Sequence, residues 1–285
     1  MTVSSAADTV VGVMESKIMH EYPEAVNSSV SSWCCSKWRP ILAEFLATSM
    51  LVLMGCMAAM PSEGQNSPIY SPLGFGLVVM FNIQIFGHIS GAHMNPAITL
   101  AGIIWGNTSV VLGITYLAAQ VCGALVGYGI LTTVSPIDLV SGGVCVTAPL
   151  TELSTFQTLG IEIALTAALS FITCALWDPV NEQKLESAPI KFGLTIVGLS
   201  LVGGPWTGAS MNPARSLAPA VYTGIWTVHW TYWVGPFVGS SVAAVIYKCI
   251  FLKKPDVHVD IAAAVSSTAV LPQLCTLRYL EARKI

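Results

Sequence analysis

Two tripeptides in the sequence suggest a chemical function. Asn95-Pro96-Ala97 and Asn212-Pro213-Ala214 lie 117 residues apart, and each begins a short apolar run. Asn followed by Pro is typical of a helix start, because the Asn side chain caps free backbone N–H groups and Pro loses no hydrogen bond at the first helical position. Since helix N-termini carry partial positive charge, two such ends that met would bind a neutral oxygen and repel cations. Either copy alone would indicate no more than a capped helix.

Three charged residues stand within apolar sequence. Glu44 in "AEFLAT" and Glu162 in "IEIALT" occupy matching places 118 residues apart, and Arg215 directly follows the second tripeptide. A charge inside a membrane is costly and is therefore functional or structural by default. We expect the two glutamates to support structure, because neither segment offers the titratable partner that a proton relay needs.

The composition places these residues in a membrane. Hydrophobic residues make up 54% of the chain and charged residues 9%, against about 45–50% and 25% in soluble domains. The net charge of −3 and the lack of a basic stripe argue against a nucleic-acid partner. No loop combines a nucleophile, a base and an orienting residue, and no His or Cys grouping suggests a metal. We therefore expect neither an enzyme nor a cofactor.

The apolar runs predict an all-α membrane protein with six transmembrane helices, since each run approaches the roughly 20 residues that cross a bilayer. Two shorter runs reach only about halfway at about 1.5 Å per residue, so we expect re-entrant half-helices there. The predicted spans are residues 40–60, 72–86, 110–134, 156–177, 190–204 and 231–252, and the half-helices are residues 97–106 and 214–221.

The matched motifs predict an inverted repeat. Each half, about 40–137 and about 156–252, has three spans, so the second half must enter the membrane from the opposite side. The predicted channel domain is 39–252, between tails 1–38 and 253–285, with a short amphipathic helix near 273–283. All basic residues except Arg215 fall in the tails, their flanks and the 184–191 connection, so the positive-inside rule makes both termini of this multi-pass cell-membrane protein cytoplasmic.

Over about residues 40–252 the chain resembles the major intrinsic protein family, the aquaporins and aquaglyceroporins. The resemblance rests on "GHISGAHMNPAITLA", "GPWTGASMNPARSLAPA" and "WVGPFVG", together with Glu44 and Glu162. It implies an hourglass fold assembled as a homotetramer in membrane lipid, with a pore in each subunit.

The resemblance also implies roles for individual residues. Asn95 and Asn212 would point their amides into the pore, and Glu44 and Glu162 would accept hydrogen bonds from the re-entrant loops. His88 and His93 would flank the cytoplasmic mouth, in a packing role or as a pH gate. The backbone carbonyls that line the pore would come from Gly91, Ala92, His93, Gly208, Ala209 and Ser210.

The family's selectivity filter falls, by motif register, on Phe75, Ser200, Ala209 and Arg215. Water-selective members carry histidine where this chain has Ser200, so a wider pore that passes glycerol and water is predicted, with urea as a third candidate. A small residue in place of the filter histidine, on a chain otherwise similar to water channels, resembles the insect entomoglyceroporins.

Other positions favour a water-selective channel instead. Glycerol facilitators carry Asp and a basic residue where this chain has Ser216 and Ala220, and Tyr232-Trp233 matches the water-channel branch. An ion-coupled secondary transporter and an adhesion protein are further alternatives, but coupling-ion residues are lacking, and adhesion would leave Arg215 and the two asparagines without a role.

Cysteine use gives two further expectations. The chain has eight cysteines, and Cys56, Cys122, Cys174 and Cys249 lie in apolar runs, where we interpret them as small buried hydrophobes rather than disulfide partners. Cys34-Cys35 precedes the first span and is a candidate for palmitoylation.

Overall fold

The computed structural model describes residues 30–61 and 68–252. The chain divides into residues 1–40 and residues 41–285, and the first unit is described only from Val30, where it is helical. Within the described ranges the regular structure is entirely helical.

Eight α-helices follow one another along the described chain. A 3-10 helix, Pro179–Ser187, leads into the sixth, and a π-helical turn, Tyr247–Phe251, continues the eighth. In chain order they are α1 Val30–Met57, α2 Tyr70–Ser90, α3 Pro96–Trp105, α4 Val110–Val134, α5 Thr155–Trp177, α6 Ala188–Thr207, α7 Pro213–Thr223 and α8 Thr231–Ile246.

Within residues 30–61 and 68–252, six helical segments are long and apolar enough to cross a membrane, those of α1, α2, α4, α5, α6 and α8. The short apolar α3 and α7 have 10 and 11 residues, about half of what a bilayer requires. The predicted fold class, six transmembrane helices with two half-helices, is confirmed.

The two ends of the bundle can be named by residues that lie there. At the Cys145 end, a disulfide joins Cys145 to Cys56 in the last turn of α1, and the N–H of Leu150 donates to the carbonyl of Trp206 near the end of α6. At the Lys248 end, the ammonium of Lys248 donates to the carbonyls of Ile104 and Trp105, both at 2.8 Å, and so caps α3.

Glycines allow neighbouring helices to pack closely, both between the two halves and within the second half. A Cβ atom on Gly76 of α2 would collide with the carbonyl of Gly193 of α6, and one on Gly193 would meet the carbonyl of Gly76. Gly239 of α8 faces the carbonyl of Ile163 of α5 in the same way. Small residues at such crossings bring backbones together, as in other membrane helix bundles.

Helix boundaries differ from the sequence prediction mainly at α1, which begins at Val30 rather than at residue 40. Hydropathy marks only the part of a helix that suits the membrane, so the polar leading segment 30–39 escapes it, and Pro40 is accommodated within the helix. The other predicted boundaries shift by a few residues. The predictions for residues 1–29 and 253–285, including the amphipathic helix, lie outside the described residues, as do the side chains of Cys34 and Cys35.

Candidate pore

The two Asn-Pro-Ala motifs meet through a reciprocal pair of hydrogen bonds. Asn95 Nδ2 donates to the carbonyl of Met211, and Asn212 Nδ2 donates to the carbonyl of Met94, both at 2.8 Å. Each Asn Oδ1 also caps its own half-helix, accepting from Ala97 N at 2.9 Å and from Ala214 N at 3.0 Å. Because an amide nitrogen carries two hydrogens, each Asn keeps one donor beyond this cross-link.

The loops that enter the half-helices have unusual backbone geometry. Ala92 and Met94 in the first loop have φ values of 47° and 52°, and Ala209 and Met211 in the second have 44° and 51°. Residues with a Cβ seldom adopt this left-handed region, at a cost of about 1–3 kcal/mol each. The surrounding structure must therefore hold both loops in place.

Glu44 of α1 holds the first loop. Its side chain is fully buried and accepts four hydrogen bonds. The donors are Ser90 Oγ at 2.6 Å, His93 N at 2.8 Å, Met94 N at 2.7 Å and Gln120 Nε2 at 2.8 Å.

Glu162 of α5 has the corresponding place in the second half. It is fully buried and accepts from Thr207 Oγ1 at 2.7 Å, Ser210 N at 3.0 Å and Met211 N at 2.9 Å. Carboxylates that accept several backbone N–H groups compensate for their burial. The two glutamates thus fix the strained loops from behind, in matching ways.

One cavity of about 600 Å³ brings the candidate filter and the two asparagines together. Phe75, Ser200, Ala209 and Arg215 all line it, as do Asn95 and Asn212. Among the predicted backbone carbonyl residues, His93, Gly208, Ala209 and Ser210 also line this cavity.

Arg215 is held in one orientation at the wall of this cavity. Its Nη1 donates to the carbonyl of Cys145 at 2.9 Å, and its guanidinium carbon lies 4.9 Å from the centre of the Phe75 ring. Guanidinium groups favour such stacking on aromatic faces. Gly55 on α1 leaves the space that the Phe75 ring occupies, since a Cβ there would collide with it.

The disulfide between Cys56 and Cys145 corrects the sequence interpretation of Cys56 as a small buried hydrophobe. Cys145 lies in the 135–154 connection, far from any motif. The parity of the spans could have indicated the bond, because the end of the first span and this connection must lie on the same side of the membrane. Cys122, Cys174 and Cys249 are free thiols. Cys174 is buried as predicted, whereas Cys122 and Cys249 are exposed, which corrects their interpretation as buried residues.

The loop around Cys145 has further attachments that the sequence did not reveal. Tyr128 donates its hydroxyl to the carbonyl of Val144 at 2.8 Å, and the Thr147 hydroxyl donates to Ser216 Oγ at 2.9 Å. The hydrogen-bond acceptor for Arg215 is thus held from several helices.

A second cavity, of about 540 Å³, lies at the Lys248 end. Gly91, Ala92, His93 and His88 line it, so the structure places both predicted mouth histidines there. His88 is exposed, whereas His93 is 8% exposed, with Nδ1 3.1 Å from Thr99 Oγ1 and its ring edge-to-face with Tyr116.

Comparison with known proteins agrees with this geometry. The family model described as "Major intrinsic protein" matches residues 30–247. The chain belongs to the major intrinsic protein family. Aquaporin-4 of Mus musculus is 38% identical over 231 residues, which cover 79% of this chain and 71% of that protein. The lens fiber major intrinsic protein of Gallus gallus is 39% identical over 214 residues, covering 75% and 81%.

A solved structure supports the fold alone. The aquaglyceroporin from Plasmodium falciparum aligns with a TM-score of 0.65 at 24% identity, covering 75% of this chain and 96% of that one. As a major intrinsic protein with six membrane-spanning helices, the chain is a multi-pass membrane channel. Members of this family are passive channels and not enzymes.

Proposed function

We propose that this channel conducts glycerol and water across the cell membrane, with urea as a further permeant, and excludes ions and protons. One observation carries the proposal. Two of the four filter candidates that line the same cavity, Ser200 and Ala209, are small. A histidine at position 200 would fill space that serine leaves open.

The filter candidates suit a molecule with one polar and one apolar side. The Phe75 ring supplies an apolar wall, and Arg215 has N–H groups beyond the one that Cys145 accepts. A permeating polyol must replace hydrogen bonds lost to water while its CH groups rest on an apolar surface. Glycerol has that split character.

The same groups disfavour ions. The half-helices α3 and α7 direct their partially positive N-termini toward the cross-linked asparagines. Arg215 adds a full charge in the same cavity. Convergent helix dipoles and a guanidinium repel cations, protons included, while neutral solutes accept hydrogen bonds from the asparagine amides.

A water-selective channel is the second candidate, and the identity to proteins named aquaporin-4 favours it. The water-channel positions of the sequence do not bear on pore width, however. Ser216 hydrogen-bonds to Ser210 and Thr147, and Tyr232 donates to the carbonyl of Thr207 at 2.9 Å. Neither Ser216 nor Tyr232 lines either cavity, whereas Ser200 does.

An ion-coupled transporter is less favoured. Such a protein needs coupling-ion ligands that the permeation path can reach. Glu44 and Glu162 line neither cavity, and both carboxylates accept hydrogen bonds from the loops instead.

We further propose that both termini are cytoplasmic and that the subunits form homotetramers in membrane lipid. Disulfides persist in oxidising compartments, so the Cys145 end would face the exterior. Lys184, Lys191 and Lys248 would then face the cytoplasm, as the positive-inside rule requires.

Side chains such as Ile114, Val202 and Phe156 leave apolar helix faces exposed for lipid or neighbouring subunits.

The test is swelling of oocytes or proteoliposomes, first in an osmotic gradient and then in an isotonic glycerol gradient. Rapid swelling in both supports the proposal, and swelling in the osmotic gradient alone means a water-selective channel. The matched control is Ser200→Trp, which should fill the filter and stop both fluxes at equal protein loading.

A further inference from the structure

Two cavities along the channel meet at three residues. Among the described residues, the cavity that holds the filter candidates and the cavity at the Lys248 end share His93, Ile98 and Phe192 alone as lining residues. These three residues therefore lie where the two cavities adjoin, on the Lys248 side of the asparagine pair, and together they are called the junction.

Phe192 stands on the same wall as the filter residue Ser200. Phe192, Ile196 and Ser200 follow one another at four-residue spacing on α6, and all three line the filter cavity. Residues at this spacing share a helix face. Eight residues of helix rise by about 12 Å, so Phe192 lies two turns beyond Ser200 along the permeation path.

The side chain of Phe192 packs against two core clusters. It packs against the core cluster that contains Val79 and Met94, and also against the cluster that contains Ile98 and Leu169. A half-buried aromatic ring with neighbours from both halves of the protein has little room to change rotamer.

The other two members of the junction are also held in place. His93 has Nδ1 3.1 Å from Thr99 Oγ1, and Gln120 donates to the same Thr99 oxygen at 2.9 Å. Ile98, in the first turn of α3, is 3% exposed. The junction thus combines a rigid polar side, His93, with an apolar side of Ile98 and Phe192, much as Arg215 and Phe75 do at the filter.

We propose that Phe192, with His93 and Ile98, forms a second size-selecting constriction, which limits polyols that pass the filter to about three carbons. A small residue at position 200 opens the filter, and the bulky ring two turns further on restores discrimination against longer solutes. This inference rests on the proposed glycerol permeation and assigns Phe192 as a specificity-determining residue.

The test uses proteoliposomes that contain the full chain, with water, glycerol and erythritol fluxes measured at equal protein loading. Phe192→Val should raise the ratio of erythritol to water permeability by about fivefold or more, because a smaller side chain widens the passage for the bulkier solute. Phe237→Val is the matched control, since Phe237 of α8 lines neither cavity, and it should leave the ratio unchanged.

An unchanged erythritol-to-water ratio in Phe192→Val, or an equal rise in Phe237→Val, overturns the proposal. If the valine variant fails to assemble, Phe192→Leu, a smaller change, is tested instead, and an unchanged erythritol-to-water ratio in that variant also overturns the proposal. A wild-type channel that passes no glycerol refutes the proposed function separately. In that case a gain of glycerol flux in Phe192→Val still supports the constriction, and its absence overturns it.

Discussion

Arg215 donates from Nη1 to the backbone carbonyl of Cys145 at 2.9 Å, and Cys145 is bonded through its sulfur to Cys56 of α1. The acceptor that orients the candidate filter arginine is thus tied covalently to the transmembrane bundle. Cys145 itself has a left-handed backbone, with φ of 69°, so its carbonyl points where few non-glycine residues would direct it.

Removing this disulfide should destabilise the channel. The bond closes a loop with a sequence separation of 89, and native disulfides typically contribute about 2–4 kcal/mol. We expect Cys56→Ser to lower the melting temperature in detergent and also to lower water flux, since Arg215 loses a fixed acceptor. Cys122→Ser, which alters an exposed free thiol, is the control. A melting temperature equal to that of wild type would contradict the assigned bond.

Mercurial reagents should inhibit the channel only weakly. Cys56 and Cys145 are oxidised, and Cys122, Cys174 and Cys249 line neither cavity. The filter position at which mercury-blocked members of the family carry cysteine is Ala209 here. We expect Ala209→Cys to create strong inhibition of water flux by mercuric chloride. Strong block of the wild type by mercuric chloride would show this prediction to be wrong.

Neutralising either buried glutamate should weaken the support of the loop that enters the corresponding half-helix, α3 for Glu44 and α7 for Glu162. In Glu44→Gln, an NH₂ group replaces one carboxylate oxygen. That NH₂ group must then face N–H groups from which the oxygen had accepted hydrogen bonds. An unpaired buried donor costs about 1–3 kcal/mol. Glu44→Gln and Glu162→Gln should therefore lower both the melting temperature and the water flux.

The control for both glutamate variants is Glu152→Gln, because Glu152 is exposed in the 135–154 connection. It should behave as wild type in both measurements. If Glu44→Gln retained full flux and stability, the support of the first loop would have to come from elsewhere.

Much of this fold follows from local features of the sequence. Val110–Val134 begins and ends where its hydropathy predicts, because both ends pass abruptly from apolar residues to Ser. Asn95 and Asn212 marked the starts of α3 and α7, since capping by Asn and the fixed φ of Pro act within a few residues.

Other features depend on contacts distant in sequence, which local patterns do not reveal. The Cys56–Cys145 bond and the donation from Gln120 to Glu44 join residues 89 and 76 positions apart. Gln120 offered one signal, a polar side chain within an apolar span, which is costly unless it is paired. Phe192 offered none, because an aromatic residue in a membrane helix is unremarkable until its neighbours across the lumen are known.

The central claim, that Ser200 opens the filter to glycerol, is tested most directly by comparing wild type with Ser200→His in the same proteoliposome preparation. The imidazole should narrow the cavity that Ser200 lines and reduce the glycerol-to-water permeability ratio by about tenfold or more, with water flux changed by no more than about threefold. Ser200→Gly should keep the wild-type ratio. An unchanged glycerol-to-water ratio in Ser200→His would contradict the account and would mean that another part of the channel selects the solute.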